Sequence, residues 1–174
     1  MIDKQEKLFQ DWDSTQIING QEIILSSPKI SHQRIVRKTE KVFERFIEGR
    51  NPGELFRAPL DVIFEENVNR VQPDLIFISK DNDDIIKDWI RGVPDLLIEV
   101  VSIESFHLDT VEKKGLYEKF GVKEYWIVLP EQQSVEIYTL KNDHYELFLT
   151  ASEDQFIESK ILVGLHFQVS FLFG

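Results

Sequence analysis

Two acidic residues lie where carboxylates are costly, inside or at the edge of apolar runs. Glu99 lies in Leu96–Val101, a run typical of a central strand that is buried on both faces. An ionised glutamate there needs a cationic partner or a metal ion. Asp74 follows Pro73 at the start of the preceding apolar run, and pairing of the two strands would bring it toward Glu99. The sequence therefore predicts a site that contains two carboxylates.

A lysine is predicted to face the same site. Lys113 shares one stripe of a helical pattern with Asp109, Tyr117 and Phe120. Because the aromatic residues make this the side that faces the core, Lys113 should point toward the sheet. Two carboxylates and one ammonium fit metal-assisted phosphodiester cleavage. In this interpretation Asp74 and Glu99 bind Mg²⁺, and Lys113 orients the attacking water or stabilises charge on phosphorus.

Two observations limit this interpretation. Glu99 and Lys113 could instead form a buried salt bridge with no metal, which would be purely structural. Asp95 lies on the same predicted strand face as Glu99, but the two residues are about 13 Å apart along a strand. Asp95 and Glu99 are therefore not expected to share one metal ion.

Composition restricts the classes of function. The chain has 174 residues with 20 basic and 31 acidic side chains, a net charge of −11, and no cysteine. Disulfides, cysteine nucleophiles and thiolate metal sites are excluded, and any contact with DNA needs a local basic patch. The length predicts a single domain over residues 1–174. The longest uncharged stretch, Ile161–Gly174, has 14 residues, whereas a bilayer needs about 20. We expect a cytoplasmic protein without a membrane partner.

A basic stripe on the first predicted helix is the candidate patch. One interpretation is a face that contacts DNA phosphates. The other is a solvated face paired with Glu40, Glu44 and Glu48. Glu40 is also a weaker candidate for an additional metal ligand. The stripe consists of Arg34, Arg37, Lys38, Lys41 and Arg45.

The pattern of elements predicts an α/β fold: a mixed β-sheet flanked by helices, with a β-rich C-terminal extension. The charged segment Met1–Asp13 is a candidate helix, and Ser31 is expected to cap the first long helix, which should end near Glu48. A strand around Ile17–Leu25 has Asn19-Gly20 as an alternative hairpin turn. The remaining predicted elements are strands at Leu55–Phe64, Val71–Ser79, Pro94–Ser102, Glu124–Leu129, Val135–Leu140 and Tyr145–Thr150, a terminal strand pair within Ile161–Gly174, and a helix at Leu108–Phe120.

Several motifs occur together in a fixed order. They are Pro73-Asp74-Leu75, the run from Gly92 to Ser102, Asp109-x-x-x-Lys113-x-x-x-Tyr117, and the run from Gly121 to Val128. In this combination the chain resembles the Uma2 family of restriction-endonuclease-like proteins, within the PD-(D/E)xK nuclease superfamily. The match also includes Ser31-His32-Gln33.

The resemblance implies a restriction-endonuclease-like fold and Mg²⁺-dependent cleavage of DNA, with Mn²⁺ as the alternative metal. The first Asp and the Glu of the superfamily fall on Asp74 and Glu99. Its lysine usually stands two residues after the Glu, where this chain has Val101, and the matching lysine is Lys113. Cleavage of both strands with one site per chain favours a homodimer.

The chain departs from the family pattern at two positions. Leu129 stands where the family often has Asp, and Ile103 stands where it often has Pro. Neither position belongs to the proposed triad. A second interpretation of the chain is a catalytically inactive nuclease fold that serves as a DNA-binding or assembly module. The histidines have no zinc-ligand spacing, and we expect them to be structural or exposed. They are His32, His107, His144 and His166.

Overall fold

The computed structural model describes residues 15–174. Its strands are β1 (Thr15–Ile18), β2 (Gln21–Ile24), β3 (Gly53–Arg57), β4 (Val62–Glu65), β5 (Asn69–Val71), β6 (Leu75–Ser79), β7 (Ile90–Arg91), β8 (Leu96–Val100), β9 (Glu124–Leu129), β10 (Ser134–Lys141), β11 (His144–Ser152), β12 (Phe156–Glu158) and β13 (His166–Gln168). Its helices are α1 (Ile30–Ile47), a 3₁₀ helix (Lys80–Ile85), a π-helix (Leu108–Lys113), α2 (Lys114–Phe120) and α3 (Ser170–Phe173). The mixed α/β class predicted from the sequence is confirmed.

A six-stranded mixed sheet forms the centre, in the order β11-β10-β9-β8-β6-β3. Strands β8 and β9 are parallel, and β6 pairs with β8 in the antiparallel direction. Every residue of β8 and β9 is buried, because helices or a second sheet cover both faces of these central strands. Glu99 therefore lies in a fully buried strand, as predicted.

Two apolar cores lie on opposite faces of this sheet. Helix α1 and the C-terminal extension cover one face, where the rings of Phe43 and Trp126 meet edge to face at 5.2 Å. The other face packs against α2 and a five-stranded sheet of order β2-β1-β5-β4-β7. Glu99 lies two residues after Leu97 on β8, so both side chains point to the same face of the sheet. Glu99 therefore belongs to this second face, together with Tyr117.

Prolines divide two of the predicted strands. The run Leu55–Phe64 is broken at Pro59, so β3 joins the central sheet and β4 joins the five-stranded sheet. The run Val71–Ser79 is broken near Pro73, which separates β5 from β6. Proline has no N–H to donate to a ladder, and it interrupts both runs for this reason.

The N-terminal part of the described chain is a hairpin followed by α1. Asn19 and Gly20 have φ angles of 51° and 76°, the left-handed pair that a type I′ turn requires, so the hairpin alternative is confirmed. The predicted cap at Ser31 is wrong, because α1 begins at Ile30 after Lys29, which makes no side-chain cap. The helix predicted within Met1–Asp13 lies outside the described residues.

The C-terminal extension is fixed to the central sheet by a buried glutamate. Glu124 on β9 accepts hydrogen bonds from the Ser159 hydroxyl at 2.7 Å and from the backbone N–H groups of Lys160 and Ile161 at 2.7 and 3.1 Å. Of the predicted terminal strand pair only β13 lies within Ile161–Gly174, and it pairs with the earlier β12. No helix of residues 15–174 is long and apolar enough to cross a bilayer.

Candidate active site

The two predicted carboxylates meet across neighbouring strands. The register of β6 and β8 pairs Leu75 with Ile98, so the next position outward places Asp74 opposite Glu99. Residues opposite one another in an antiparallel pair have their side chains on the same face. Asp74 Oδ2 also accepts a hydrogen bond of 2.7 Å from the backbone N–H of Val100. The carboxylate at the start of β6 is thereby fixed beside β8.

Lys113 reaches this pair from the other side, as the helical pattern predicted. Its side chain is 2% exposed, and Nζ donates a hydrogen bond of 2.9 Å to Glu99 Oε1. The hydroxyl of Tyr117 donates to the same oxygen at 2.8 Å. The structure therefore brings Asp74, Glu99 and Lys113 into one polar cluster, in which Glu99 and Lys113 are buried and Asp74 is partly buried.

Burial and charge shift the titration of this cluster. Burial raises the pKa of Glu99 to about 8; the Lys113 ammonium lowers it in part, and the carboxylates of Asp109 and Asp74 raise it further. Burial alone would lower the pKa of Lys113, but the carboxylates of Glu99 and Asp109 raise it above its ordinary value. Lys113 is consequently an ammonium at neutral pH, and the cluster has more acids than cations.

Asp109 is a member of the cluster for which no role was predicted from the sequence. It is 3% exposed, and its Oδ1 lies 3.2 Å from Lys113 Nζ. This is an ion-pair distance without hydrogen-bond geometry, because the buried Oδ1 has no hydrogen bond within residues 15–174. The spacing of four residues before Lys113 placed Asp109 on the inward stripe, and that was the signal for its position.

His32 is the second residue of the site that the sequence does not predict. We expected it to be structural or exposed, but it contacts one of the candidate metal ligands. Its Nε2 lies 3.1 Å from Asp74 Oδ2, and its side chain is 16% exposed. Burial acts to lower the pKa of His32, but the hydrogen bond and charge of Asp74 outweigh it and raise the pKa above the ordinary value. Forty-two residues separate the two partners, so no local spacing could reveal the contact.

The donor set fits a hard divalent cation. Oδ1 of Asp74 and Oε2 of Glu99 accept no hydrogen bond in the described part of the chain. No group of three or more His, Asp or Glu side chains within residues 15–174 could hold a metal ion. Mg²⁺ commonly uses one or two carboxylates and completes its shell with water and substrate phosphate, whereas zinc requires more protein ligands. Two free carboxylate oxygens in an acidic cluster match the first pattern.

Asp95 has a separate role at the other end of β8. It accepts hydrogen bonds from Ser79 N at 2.8 Å, Asn82 Nδ2 at 3.1 Å and Lys123 Nζ at 2.5 Å. Burial acts to raise the pKa of Asp95, but these donors outweigh it and lower the pKa. Asp95 joins β8 to the segment after β6, apart from the cluster around Glu99.

Four of the five residues of the basic stripe are exposed on α1, and Lys38 is half-buried. Within residues 15–174, the charged groups of Arg34, Arg37, Lys41 and Arg45 form no ion pair, so the alternative pairing with Glu44 and Glu48 is absent from these residues. Lys38 differs, because it donates to the backbone oxygen of Gly174. Glu40 pairs with Arg57 at 3.2 Å, and no contact joins it to the candidate site.

A cavity of about 280 Å³ opens where the parallel strands β8 and β9 end. Both departures from the family pattern line it, Ile103 from the loop after β8 and Leu129 from the end of β9. Neither residue belongs to the cluster around Glu99. The effect of these departures is therefore an apolar wall beside the site rather than a change within it.

Comparison with known proteins adds the family. The sequence profile of Uma2, described as "Putative restriction endonuclease", matches residues 3–170. The chain belongs to the Uma2 family. This confirms the resemblance found in the sequence motifs. No match was found among curated proteins.

The fold of this Uma2 protein is similar to a solved structure from Anabaena variabilis ATCC 29413, described as a putative nuclease belonging to DUF820. The TM-score is 0.78 at 17% sequence identity, and the alignment covers 97% of this chain and 96% of the other. At this identity the similarity establishes the fold. It confirms the nuclease-like architecture predicted from the sequence.

Proposed function

We propose that this Uma2 protein is a metal-dependent DNA endonuclease of the PD-(D/E)xK type. The observation that supports the proposal is the convergence of Asp74 with the buried Glu99 and Lys113 in one cluster with an excess of acids. A structural ion pair needs one carboxylate for its lysine, whereas Asp109 and Asp74 add further negative charge beside Glu99. A site built to accept a cation has this imbalance.

In this proposal Asp74 and Glu99 hold Mg²⁺, or Mn²⁺ in its place. The bound ion would polarise the scissile phosphate and lower the pKa of a coordinated water. The hydrogen bond from Val100 N and the contact with His32 fix the orientation of Asp74. The Tyr117 hydroxyl does the same for Glu99. These three contacts preorganise the two ligands before substrate arrives.

Lys113 acts in the proposed reaction as a charged donor. Its carboxylate neighbours hold its pKa above the ordinary value, so the side chain has no free electron pair with which to abstract a proton. An ammonium in this position can orient the attacking water and stabilise negative charge that develops on the phosphate oxygens. It is therefore assigned electrostatic stabilisation rather than general-base catalysis.

The proposed substrate is DNA, and the basic stripe is its proposed contact surface. Helix α1 presents four basic side chains that form no ion pair within residues 15–174, on a chain with a net charge of −11. They are Arg34, Arg37, Lys41 and Arg45. Contacts of this kind bind phosphates without reading bases and weaken as salt rises. Helix α1 also carries His32, so one rigid element links this surface to Asp74. Cutting two strands with one site per chain further favours a homodimer.

Conversion of supercoiled plasmid to the nicked form, with Mg²⁺ or Mn²⁺, tests the proposed activity. We expect wild type to nick, and Asp74→Asn, Glu99→Gln and Lys113→Met each to be at least about 100-fold slower. Asp95→Asn is the matched control, since it removes the charge of a buried aspartate that lies just before β8 and outside the cluster. The proposal fails if wild type nicks no faster than Glu99→Gln over a wide range of protein concentration.

The salt-bridge alternative is supported by the contact of 2.9 Å between Glu99 and Lys113. If it is correct, the protein binds neither Mg²⁺ nor Mn²⁺, and substitution of Glu99 destabilises the fold by leaving Lys113 without its hydrogen-bonded partner. Isothermal titration calorimetry of wild type with each metal measures this binding and distinguishes a metal site from a structural salt bridge. An inactive nuclease fold that retains DNA binding would bind DNA through the basic stripe without nicking it.

A further inference from the structure

Asp109 is a buried acid whose carboxylate is only partly satisfied. One ammonium, that of Lys113, stands between two carboxylates: it donates a hydrogen bond to Glu99 Oε1 at 2.9 Å and lies 3.2 Å from Asp109 Oδ1. Only Glu99 receives a hydrogen bond from it, so Asp109 Oδ1 is left as an unused acceptor in the interior. An unused buried acceptor within ion-pair distance of an ammonium indicates a second arrangement of the same groups.

We propose that Asp109 is a positioning residue that takes over the Lys113 ammonium when Glu99 binds a divalent cation. The proposal rests on the proposed function, because it requires a cation at Glu99. An ammonium and a metal ion repel each other when they share one carboxylate. This repulsion favours movement of Lys113 away from Glu99 while its ammonium stays in the site. Asp109 Oδ1 is an acceptor within 3.2 Å of Nζ, so a small rotation of the lysine side chain completes the exchange.

The local backbone keeps Asp109 in reach. Residues Leu108–Lys113 form a π-helix, and such turns occur often at functional sites. The Tyr125 hydroxyl donates a hydrogen bond of 2.9 Å to the backbone oxygen of Asp109. Tyr125 lies on β9, the parallel neighbour of the strand that carries Glu99. Both alternative partners of Lys113 are thus anchored to the same sheet.

Glu99 keeps a second donor when the lysine leaves. The hydroxyl of Tyr117 donates to Glu99 Oε1 at 2.8 Å, independently of Lys113. The carboxylate therefore stays oriented while its ammonium partner changes. This division of tasks distinguishes Asp109, which acts on Lys113, from Tyr117, which acts on Glu99.

A double-mutant cycle on Mn²⁺ affinity tests the proposal. Isothermal titration would compare wild type, Asp109→Asn, Lys113→Met and the double variant, with Asp95→Asn as the matched control. We expect Asp109→Asn to weaken Mn²⁺ binding at least about 10-fold, because Lys113 then has only Glu99 as partner and competes with the metal. In the Lys113→Met background the same substitution should change the affinity less than about 2-fold.

Three outcomes decide between the hypotheses. Equal losses in both backgrounds would mean that Asp109 contributes only negative charge, and this overturns the proposal. Unchanged affinity of Asp109→Asn in the wild-type background also overturns it. A wild-type protein that binds no Mn²⁺ contradicts the proposed function itself, and the positioning role of Asp109 falls with it.

A crystal structure of the wild-type protein with Mg²⁺ tests the same exchange without any variant. We expect Lys113 Nζ within hydrogen-bond distance of Asp109 and farther from Glu99 Oε1 than the present 2.9 Å. A structure in which Glu99 binds Mg²⁺ while Lys113 keeps its hydrogen bond to Glu99 overturns the proposal. This measurement holds even if Asp109→Asn fails to fold.

Discussion

Burial and neighbouring charges act in opposite directions on the ionisable side chains of the site. Glu99 is buried in a central strand, and burial raises its pKa to about 8 even though an ammonium lies 2.9 Å away. Asp109 shares that ammonium. The cluster is therefore short of positive charge, and a divalent cation would relieve the shortage.

Removal of the ammonium should expose this shortage. Lys113→Met should lower the free energy of unfolding by about 3–5 kcal/mol without divalent ions, because it leaves buried carboxylates uncompensated. Mg²⁺ should restore more stability to Lys113→Met than it adds to wild type, since the cation replaces the missing charge. Urea unfolding with and without Mg²⁺ measures both. Equal effects of Mg²⁺ on the two proteins would contradict a metal site at Glu99.

Asp95 should control stability in a pH-dependent way. Its pKa in the folded protein is lowered, so the ionised form contributes stability that is present above the unfolded pKa and is lost as pH falls through the folded pKa. Asp95→Asn should cost about 1–3 kcal/mol at neutral pH. The difference from wild type should shrink as the pH approaches 3, as measured by urea unfolding at each pH. A difference that stays constant with pH would show that the charge of Asp95 is unimportant.

At the scale of secondary-structure elements, local patterns in the sequence predict some features of the site, and contacts between distant elements determine the others. The orientation of Lys113 followed from helical period, and the burial of Glu99 followed from the apolar run around it, because both signals are local. The contact between His32 and Asp74 joins residues 42 positions apart, so it depends on how α1 packs against the sheet. The division of Val71–Ser79 into two strands depends on Pro73, because proline has no N–H to donate to one continuous ladder.

Helix α1 gives a prediction for DNA binding. Arg37→Glu with Lys41→Glu should weaken binding to a DNA duplex at least about 10-fold at low salt and flatten its dependence on salt, because phosphate contacts are lost. Lys87→Glu with Lys119→Glu changes the net charge equally at exposed positions on other elements and serves as the control. Fluorescence anisotropy over a range of salt measures both. Similar losses in the two double variants would show that net charge, and not the basic stripe, governs binding.

The whole molecule is strongly acidic, with a net charge of −11, so long-range forces repel DNA and the proposed contact surface for DNA has to be a local one. Fold and family were predictable at this scale because ordered motifs extend over most of the chain, and the family profile matches residues 3–170. The pairing of β12 with β13 was not predictable in full. The polar and apolar residues of β13 alternate, whereas β12 begins with two adjacent apolar residues and has no such signal in its sequence.

Assembly is the prediction that belongs to this scale. If a homodimer cuts both strands, conversion of plasmid to the linear form should rise more steeply with protein concentration than nicking does, because it needs two sites at once. Sedimentation or light scattering should show a dimer over the same concentration range. Nicking and linearisation with the same concentration dependence, by a protein that stays monomeric, would contradict the proposed dimer.

The π-helix at Leu108–Lys113 contains a wider turn than an α-helix, so the segment can lose a residue and still remain helical. Deletion of the half-exposed Thr110 would leave α2 in place, with Lys113 and Tyr117 still directed at Glu99. Asp109 would then turn by roughly 100° around the helix axis, the step of one residue. The additional residue in the π-helix is thus what places Asp109, as well as Glu99, beside Lys113.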